Sequence, residues 1–332
     1  MKYLLRLKWA LILLLFSFVI VSCSKDDDTP DNQDQQITDN IGKDDKDGDN
    51  GHDHGSSDFD YITNYEVKGD QLKKIKDYDV TGESLTFQKN EKQHKDIWKL
   101  VMDVIPDANR NYLSDFMLFH GEKSGTAGYV VQTKEDLTKW QFGIAMAYAF
   151  PNGVINSDGE LAYTIIHEFG HIVTLNNTQV TAGTDANSSD TYHTGEGSSK
   201  ANSYINKLYQ NYWADIWDEY QEASNSEDEE KLAAFYEKYK ERFVTQYAST
   251  NPGEDIAETF TYFVIKGDKP SGNSIADQKV RMLYEYEELI ELRNYIRNNT
   301  KTKRSRMILP KAGAWKKANT FGDPKKVHNL TK

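Results

Sequence analysis

Apolar and polar positions divide the chain into four stretches. Residues 9–21 form an almost unbroken apolar run, and residues 25–58 carry hardly any apolar side chain. From about Phe59 periodic patterns take over, and they last to about residue 300. Ile97, Leu100, Val101 and Val104 fall on one face at helical spacing, which predicts a helix over 89–105 closed by Pro106. Strand-like segments follow at 112–120, 128–133 and 142–150, with Gly121, Ser124 and Gly125 as turn residues between the first two. Ser157 and Glu160 stand at capping-box spacing before a further apolar run, so a helix is expected to start there. Ile205, Leu208, Tyr209, Tyr212, Trp213, Ile216 and Trp217 then keep an i, i+3, i+4, i+7 rhythm, and Leu232, Phe235, Tyr236, Tyr239 and Phe243 repeat it. Rings at that spacing are expected in a core, the alternative being a platform for stacking on sugars. Asn251 and Pro252 cap a helix running to Val264, and a long helix is expected over 275–298. No internal repeat is visible. A small sheet, one apolar helix and a mostly helical C-terminal half make the fold class α+β.

Composition narrows the picture. The 332 residues allow one large or two ordinary domains with a core that needs no staples. A net charge of −12 argues against a general nucleic-acid binder. The single cysteine, Cys23, excludes an intrachain disulfide. Lys2, Arg6 and Lys8 precede the first apolar run, which is shorter than the roughly 20 residues that a membrane span needs. The run ends in Ile20-Val21-Ser22-Cys23, which resembles the bacterial lipobox; the resemblance implies a signal peptide over 1–22 and lipidation of Cys23. Ser24-Lys25-Asp26-Asp27-Asp28 resembles the acidic signal of Bacteroidota lipoproteins sent to the outer face of the outer membrane. That implies a surface-exposed outer-membrane lipoprotein.

Residues 23–58 read as an acidic, flexible tether, because so polar a segment buries too little surface to offset its ordering entropy. Asp45, Asp47 and Asp49 alternate as in a calcium loop, but the sixth position lacks glycine and Ser56 stands at the twelfth, where an EF-hand needs glutamate. His52 and His54 add at most adventitious metal contacts. Residues 301–332 hold ten Lys and Arg against one acid, Asp323, and read as a solvated basic tail, the alternative being a site for an anionic partner. The remainder, 59–300, is the expected functional domain.

The chemistry concentrates in His167-Glu168-Phe169-Gly170-His171. Positions i and i+4 share a helix face, so both imidazoles can point at one metal ion. Glu168 lies about 100° around the helix, placed to address a metal-bound water without being a ligand. Two histidines on a face with Ile165, Ile166, Ile172 and Val173 need partners if buried, and a metal supplies one; the plain alternative is a core helix with two satisfied histidines. A catalytic zinc needs three protein ligands and an open position. His193 is the nearest later histidine, and Asn177 stands where the metzincin pattern requires one, which excludes that pattern. Glu254 and Glu258, spaced i and i+4, put two further carboxylates on one helix face.

With this second motif the chain resembles the gluzincin metallopeptidases, in which a glutamate on a later helix binds zinc and a later acid steadies a ligating histidine. It is most similar to the catalytic domain of lethal-factor-type proteases, which share HEFGH and a Y-x-x-T-N-x-x-E stretch, here Tyr247 to Glu254. It is similar as well to the HExxH lipoprotein metallohydrolases of Bacteroidota. The similarity spans roughly 156–264, interrupted by a long helical insert. The resemblance implies a zincin-like fold, one Zn2+ per chain on His167, His171 and Glu254, Glu168 as base, Tyr247 as hydrogen-bond donor to the oxyanion, and Glu258 behind a ligating histidine. It also implies that the 142–150 strand pairs with extended substrate. Asn251-Pro252-Gly253-Glu254 can equally be read as a cap that occupies Glu254 and leaves zinc to Glu258.

The expected function is therefore a surface-anchored zinc metallopeptidase acting on peptide or protein substrates. The competing expectation is a non-catalytic zinc-containing lipoprotein that binds glycan or peptide for an outer-membrane transporter in a nutrient-import complex. A third is a zinc hydrolase of non-peptide amides. Intact Glu168 separates the first from the second, because a binding module gains nothing from a base.

Overall fold

Two strands that the sequence patterns did not single out open the domain. β1 (Tyr61–Lys68) and β2 (Gln71–Asp77) form an antiparallel hairpin that reverses at Gly69, whose φ of +59° suits a residue without a Cβ. The computed structural model describes residues 59–184, 190–225 and 229–300, all within the unit that begins at Asp53. The expected signal peptide, tether and basic tail lie outside the described residues.

α1 (Gly82–Lys89), α2 (Glu91–Val104) and the single turn α3 (Asp107–Arg110) come next, then β3 (Leu113–Phe119), β4 (Gly128–Gln132) and β5 (Trp140–Ala145). The sheet runs β2-β1-β3-β5-β4, with β3 and β5 parallel and the other neighbours antiparallel. Strand alternation sorts β3 between two layers. Phe116 and Leu118 join the main core, while Met117 and Phe119 join a smaller cluster with Tyr129, Phe59, Tyr61 and Tyr78.

The expected 142–150 strand is shorter than its apolar run. β5 ends at Ala145, and the next residues form the turn α4 (Met146–Ala149). Central in the fold is α5 (Glu160–Leu175), the motif helix, where every residue from Leu161 onward is buried. The expected capping box does not form: Gly159 is the N-cap residue without a side-chain bond, and the Ser157 hydroxyl donates to Asp158 instead. The helix gains little from a cap because burial on all sides holds it.

The small hairpin β6 (Val180–Ala182) and β7 (Gly197–Ser199) leads to the helical half, α6 (Tyr204–Tyr212), α7 (Trp217–Asn225) and α8 (Glu229–Tyr239). Its aromatic stripe is core. Trp213 is fully buried and packs against the rings of Trp217, Tyr220, Phe235 and Phe243. A 3-10 turn over Tyr247–Thr250 precedes α9 (Pro252–Ile265). The long helix expected over 275–298 is two helices, α10 (Ile275–Leu283) and α11 (Glu287–Asn299). The break sends two rings to different partners: Tyr284 meets Phe263 edge-on at 4.6 Å, and Tyr286 meets Tyr204 at 4.7 Å. Among the described residues no helix is long and apolar enough to cross a membrane.

Candidate metal centre

α5 and α9 pack directly on each other, and Gly170 sets how closely. A Cβ there would stand 3.2 Å from the Phe260 ring and 3.3 Å from the Ala257 Cα, so a larger residue would push α9 away. The close approach carries Glu254 and Glu258, one turn apart on α9, up to His167 and His171, one turn apart on α5. The two sequence motifs thus meet in space.

His167 Nε2 lies 3.1 Å from Glu254 Oε2, His171 Nε2 lies 3.3 Å from the same oxygen, and the two Nε2 atoms are 3.1 Å apart. A tetrahedral zinc with bonds of about 2.0–2.1 Å holds its ligand atoms about 3.3 Å apart. The triangle has that size, and all three side chains are buried. His167, His171 and Glu254 can therefore hold a metal ion.

Glu258 is fully buried, and its carboxylate lies 2.8 Å from His167 Nδ1. A carboxylate accepts and does not donate, so Nδ1 carries a proton toward Glu258, and loss of the Nε2 proton would free that lone pair for an ion. His167 Nε2, His171 Nε2 and Glu254 Oε2 would then converge on a buried ion. Glu258 itself is satisfied within the chain, accepting from the Tyr163 hydroxyl at 2.8 Å and the Thr245 hydroxyl at 2.5 Å.

The cap reading of Glu254 proves half right. The Asn251 side chain accepts from the Glu254 backbone N–H at 2.9 Å, yet the Glu254 carboxylate points at the histidines. One residue both closes the first turn of α9 and faces the metal position. Glu258, which the cap reading would have made the ligand, contacts the other nitrogen of His167.

The chain's own charges bias each group. Burial opposes ionisation of Glu254, but His171 and His167 outweigh it and hold the carboxyl well below its usual range. Burial likewise opposes charging of His167, and Glu254 and Glu258 outweigh it, raising that imidazole well above its ordinary value. Glu168 is raised, chiefly by burial, with His167 and His171 pulling the other way. No protein group hydrogen-bonds the Glu168 carboxylate among the described residues. Burial first, then the Glu254, Glu168 and Glu258 carboxylates, with a hydrogen bond to Glu254, push the Tyr247 hydroxyl well up, so it stays protonated. Its ring sits 5.7 Å from that of His167, at the start of the turn leading into α9.

Two expectations move. The substrate strand placed at 142–150 cannot serve, because β5 is paired on both sides, by β3 and β4. The sheet edge beside the motif helix is β4, and a Cβ at its Gly128 would meet Thr164 Cγ2 at 2.6 Å and Glu168 Cγ at 3.3 Å. His193 stays out of the cluster: its Nε2 pairs with the Thr184 carbonyl at 2.7 Å. Sequence reasoning missed Tyr163 and Thr245. Tyr163 was within reach, since it precedes His167 by one helical turn, whereas nothing local marks Thr245.

No family model matches the chain, and comparison with curated proteins and with solved structures returned no match.

Proposed function

We propose that the protein is a zinc metallopeptidase with a zincin-like domain. The observation that carries this reading is the buried His167–His171–Glu254 triangle with Glu168, buried on the same helix, beside it. Two imidazoles and one carboxylate suit zinc and leave a fourth position open. Held there, zinc would supply a water of pKa about 7 and polarise a carbonyl.

The chain's own groups supply the rest. Glu168, its carboxyl raised by burial, takes the proton of the attacking water and passes it to the leaving amine. Tyr247 keeps its proton and donates to the oxygen on which negative charge develops. Glu258 holds the His167 ring through Nδ1 and fixes the tautomer that leaves Nε2 free to ligate. An extended peptide would pair with the free edge of β4, close to Glu168.

The decisive experiment replaces the base alone. Glu168→Gln should keep about one zinc per chain, because Glu168 is not a ligand, and lose about 10²–10⁴-fold in hydrolysis. Activity at the wild-type level on a peptide that the wild type cleaves would end the mechanism. A wild type that cleaves nothing in a broad peptide library would leave the non-catalytic lipoprotein as the better reading.

Anchoring belongs to the same proposal. Cys23 follows a lipobox-like stretch and is the chain's sole cysteine, so palmitate labelling in the native host should vanish in Cys23→Ala. Proteinase added to intact cells should remove the wild-type protein, and full protection would place it inside the outer membrane.

A further inference from the structure

The helical insert between the two motifs takes no part in the proposed chemistry. α6, α7 and α8 supply none of the three residues that could hold the metal. Two rings of the insert nevertheless reach the stretch that carries Tyr247 and Glu254. The Tyr220 hydroxyl donates to the Thr250 carbonyl at 2.6 Å, and Trp213 Nε1 donates to the Asp255 carboxylate at 2.7 Å. Trp213 and Tyr220 pack edge-on against each other, 5.2 Å between ring centres. One aromatic cluster thus grips the chain on both sides of residues 251–254. The Asn251 cap and Glu254 lie inside that bracket, and the 3-10 turn over Tyr247–Thr250 leads into it.

The last carbonyls of a helical turn have no partner within it, and Tyr220 supplies the donor for that of Thr250. The start of the turn is tied elsewhere. Thr245 Oγ1 accepts from the Ala248 backbone N–H at 3.1 Å and lies 2.5 Å from the Glu258 carboxylate, to which it donates. Asn251 is extended, with φ −173° and ψ 168°, so the chain changes direction between the turn and α9. Tyr247 therefore hangs from a turn held at its start by the acid behind His167 and at its end by the insert. The Tyr220 ring is itself fixed: it is buried, stacked on Trp217 at 5.1 Å and set edge-on to Phe235 at 5.7 Å.

We propose that the insert is the scaffold that sets Tyr247 against the metal position, with Tyr220 as the positioning residue. The inference rests on the metallopeptidase reading. Tyr220 acts through the Thr250 carbonyl, three residues after Tyr247. Without its hydroxyl the turn swings, and the Tyr247 hydroxyl leaves the place where charge develops on the oxygen it serves. Such a donor works only when it is placed before the reaction, so the loss falls on rate. Zinc binding does not depend on this hold, because His167 and His171 stand on α5 and Glu254 is fixed by the Asn251 cap and the Trp213–Asp255 bond beside it.

Tyr220→Phe in the full chain tests it, since it keeps the ring and deletes the hydroxyl. The variant should keep its KM and about one zinc per chain and lose about three- to tenfold in kcat, the share of one hydrogen bond. Tyr239→Phe deletes a hydroxyl of the same insert that is bonded to Glu219 at 2.9 Å, and it should leave kcat unchanged. In a Tyr247→Phe background the Tyr220 substitution should cost no further rate, because its effect passes through Tyr247. Hydrogen exchange, read by mass spectrometry on a peptide spanning 244–251, needs no activity. It should quicken about three- to tenfold in Tyr220→Phe and stay at the wild-type rate in Tyr239→Phe. Unchanged exchange in Tyr220→Phe, an unchanged kcat, or a kcat loss that persists in the Tyr247→Phe background would each overturn the proposal. A wild type that cleaves no peptide, with exchange quickened in Tyr220→Phe, would overturn the metallopeptidase reading and leave the hold on the turn established.

Discussion

Glu254 and Asp255 are neighbours on α9, both buried, and they are neutralised in opposite ways. Asp255 faces the helical half, where Lys279 Nζ lies 2.5 Å and Trp213 Nε1 2.7 Å from its carboxylate. Asp255 and Lys279 are both fully buried, and Lys279 also sits 4.4 Å over the Phe243 ring. Burial pushes the Asp255 carboxyl up and the Lys279 amine down despite their pairing, as expected for an ion pair removed from water. Glu254 faces two imidazoles, and among the described residues no lysine or arginine pairs with it. One carboxylate has its cation built into the chain. The other meets two imidazoles, with which it could hold a metal ion.

The largest expected effect tests the open side of this contrast. Glu254→Ala removes the only carboxylate of the triangle and should reduce bound zinc from about one per chain to nearly none after gel filtration, read by metal analysis. Retention of zinc in this variant would move the ligand role elsewhere, with Glu258 the first candidate, and would take away the basis for Tyr247 as oxyanion donor.

The closed side should respond in stability instead. Lys279→Met leaves Asp255 buried without its cation, and removing one partner of a buried pair costs about 3–5 kcal/mol. Urea unfolding should show that loss, while the folded fraction still binds about one zinc. Adding Asp255→Leu should recover most of the stability, because an apolar pair of similar volume suits the site. Zinc lost from Lys279→Met without a fall in stability would show that the two acids are not separate devices.

The contrast also explains what could be read from the sequence. HEFGH and the Tyr247-to-Glu258 stretch were legible because helical spacing alone decides which side chains share a face, and both helices formed where expected. Asp255 and Lys279 were invisible: 24 residues separate them, and neither lies in a motif. The hairpin β1–β2 escaped because its outer strand is exposed along nearly its whole length and so lacks the apolar alternation that marks a strand. The lysines of that strand, Lys73, Lys74 and Lys76, guard one sheet edge, while β4 forms the other beside the motif helix. Which edge would be free depended on strand order, and a periodic pattern carries no information about order. The resemblance alone gave the 142–150 run its expected role, whereas the sheet puts β4 at the edge beside the motif helix.

The smallest effects belong to the groups behind the ligands, and they should be graded. Glu258→Ala removes the acceptor that orients His167 and should weaken zinc binding about 10–100-fold, measured by competition with a chelating dye. Tyr163→Phe is milder. It deletes one hydroxyl donor to Glu258 and leaves Thr245 and His167 in place. A single hydrogen bond to a charged group is worth about 1.5–3 kcal/mol, and only the part of it transmitted through Glu258 to His167 can reach the metal. The loss in zinc affinity should therefore be smaller than for Glu258→Ala, with most of the cost appearing as lower stability of the metal-free protein. A Tyr163→Phe variant whose zinc affinity falls as far as that of Glu258→Ala would show that the tyrosine, and not the carboxylate, holds the ring. The graded series would then run through α5 alone, and the proximity of α9 would matter only for Glu254.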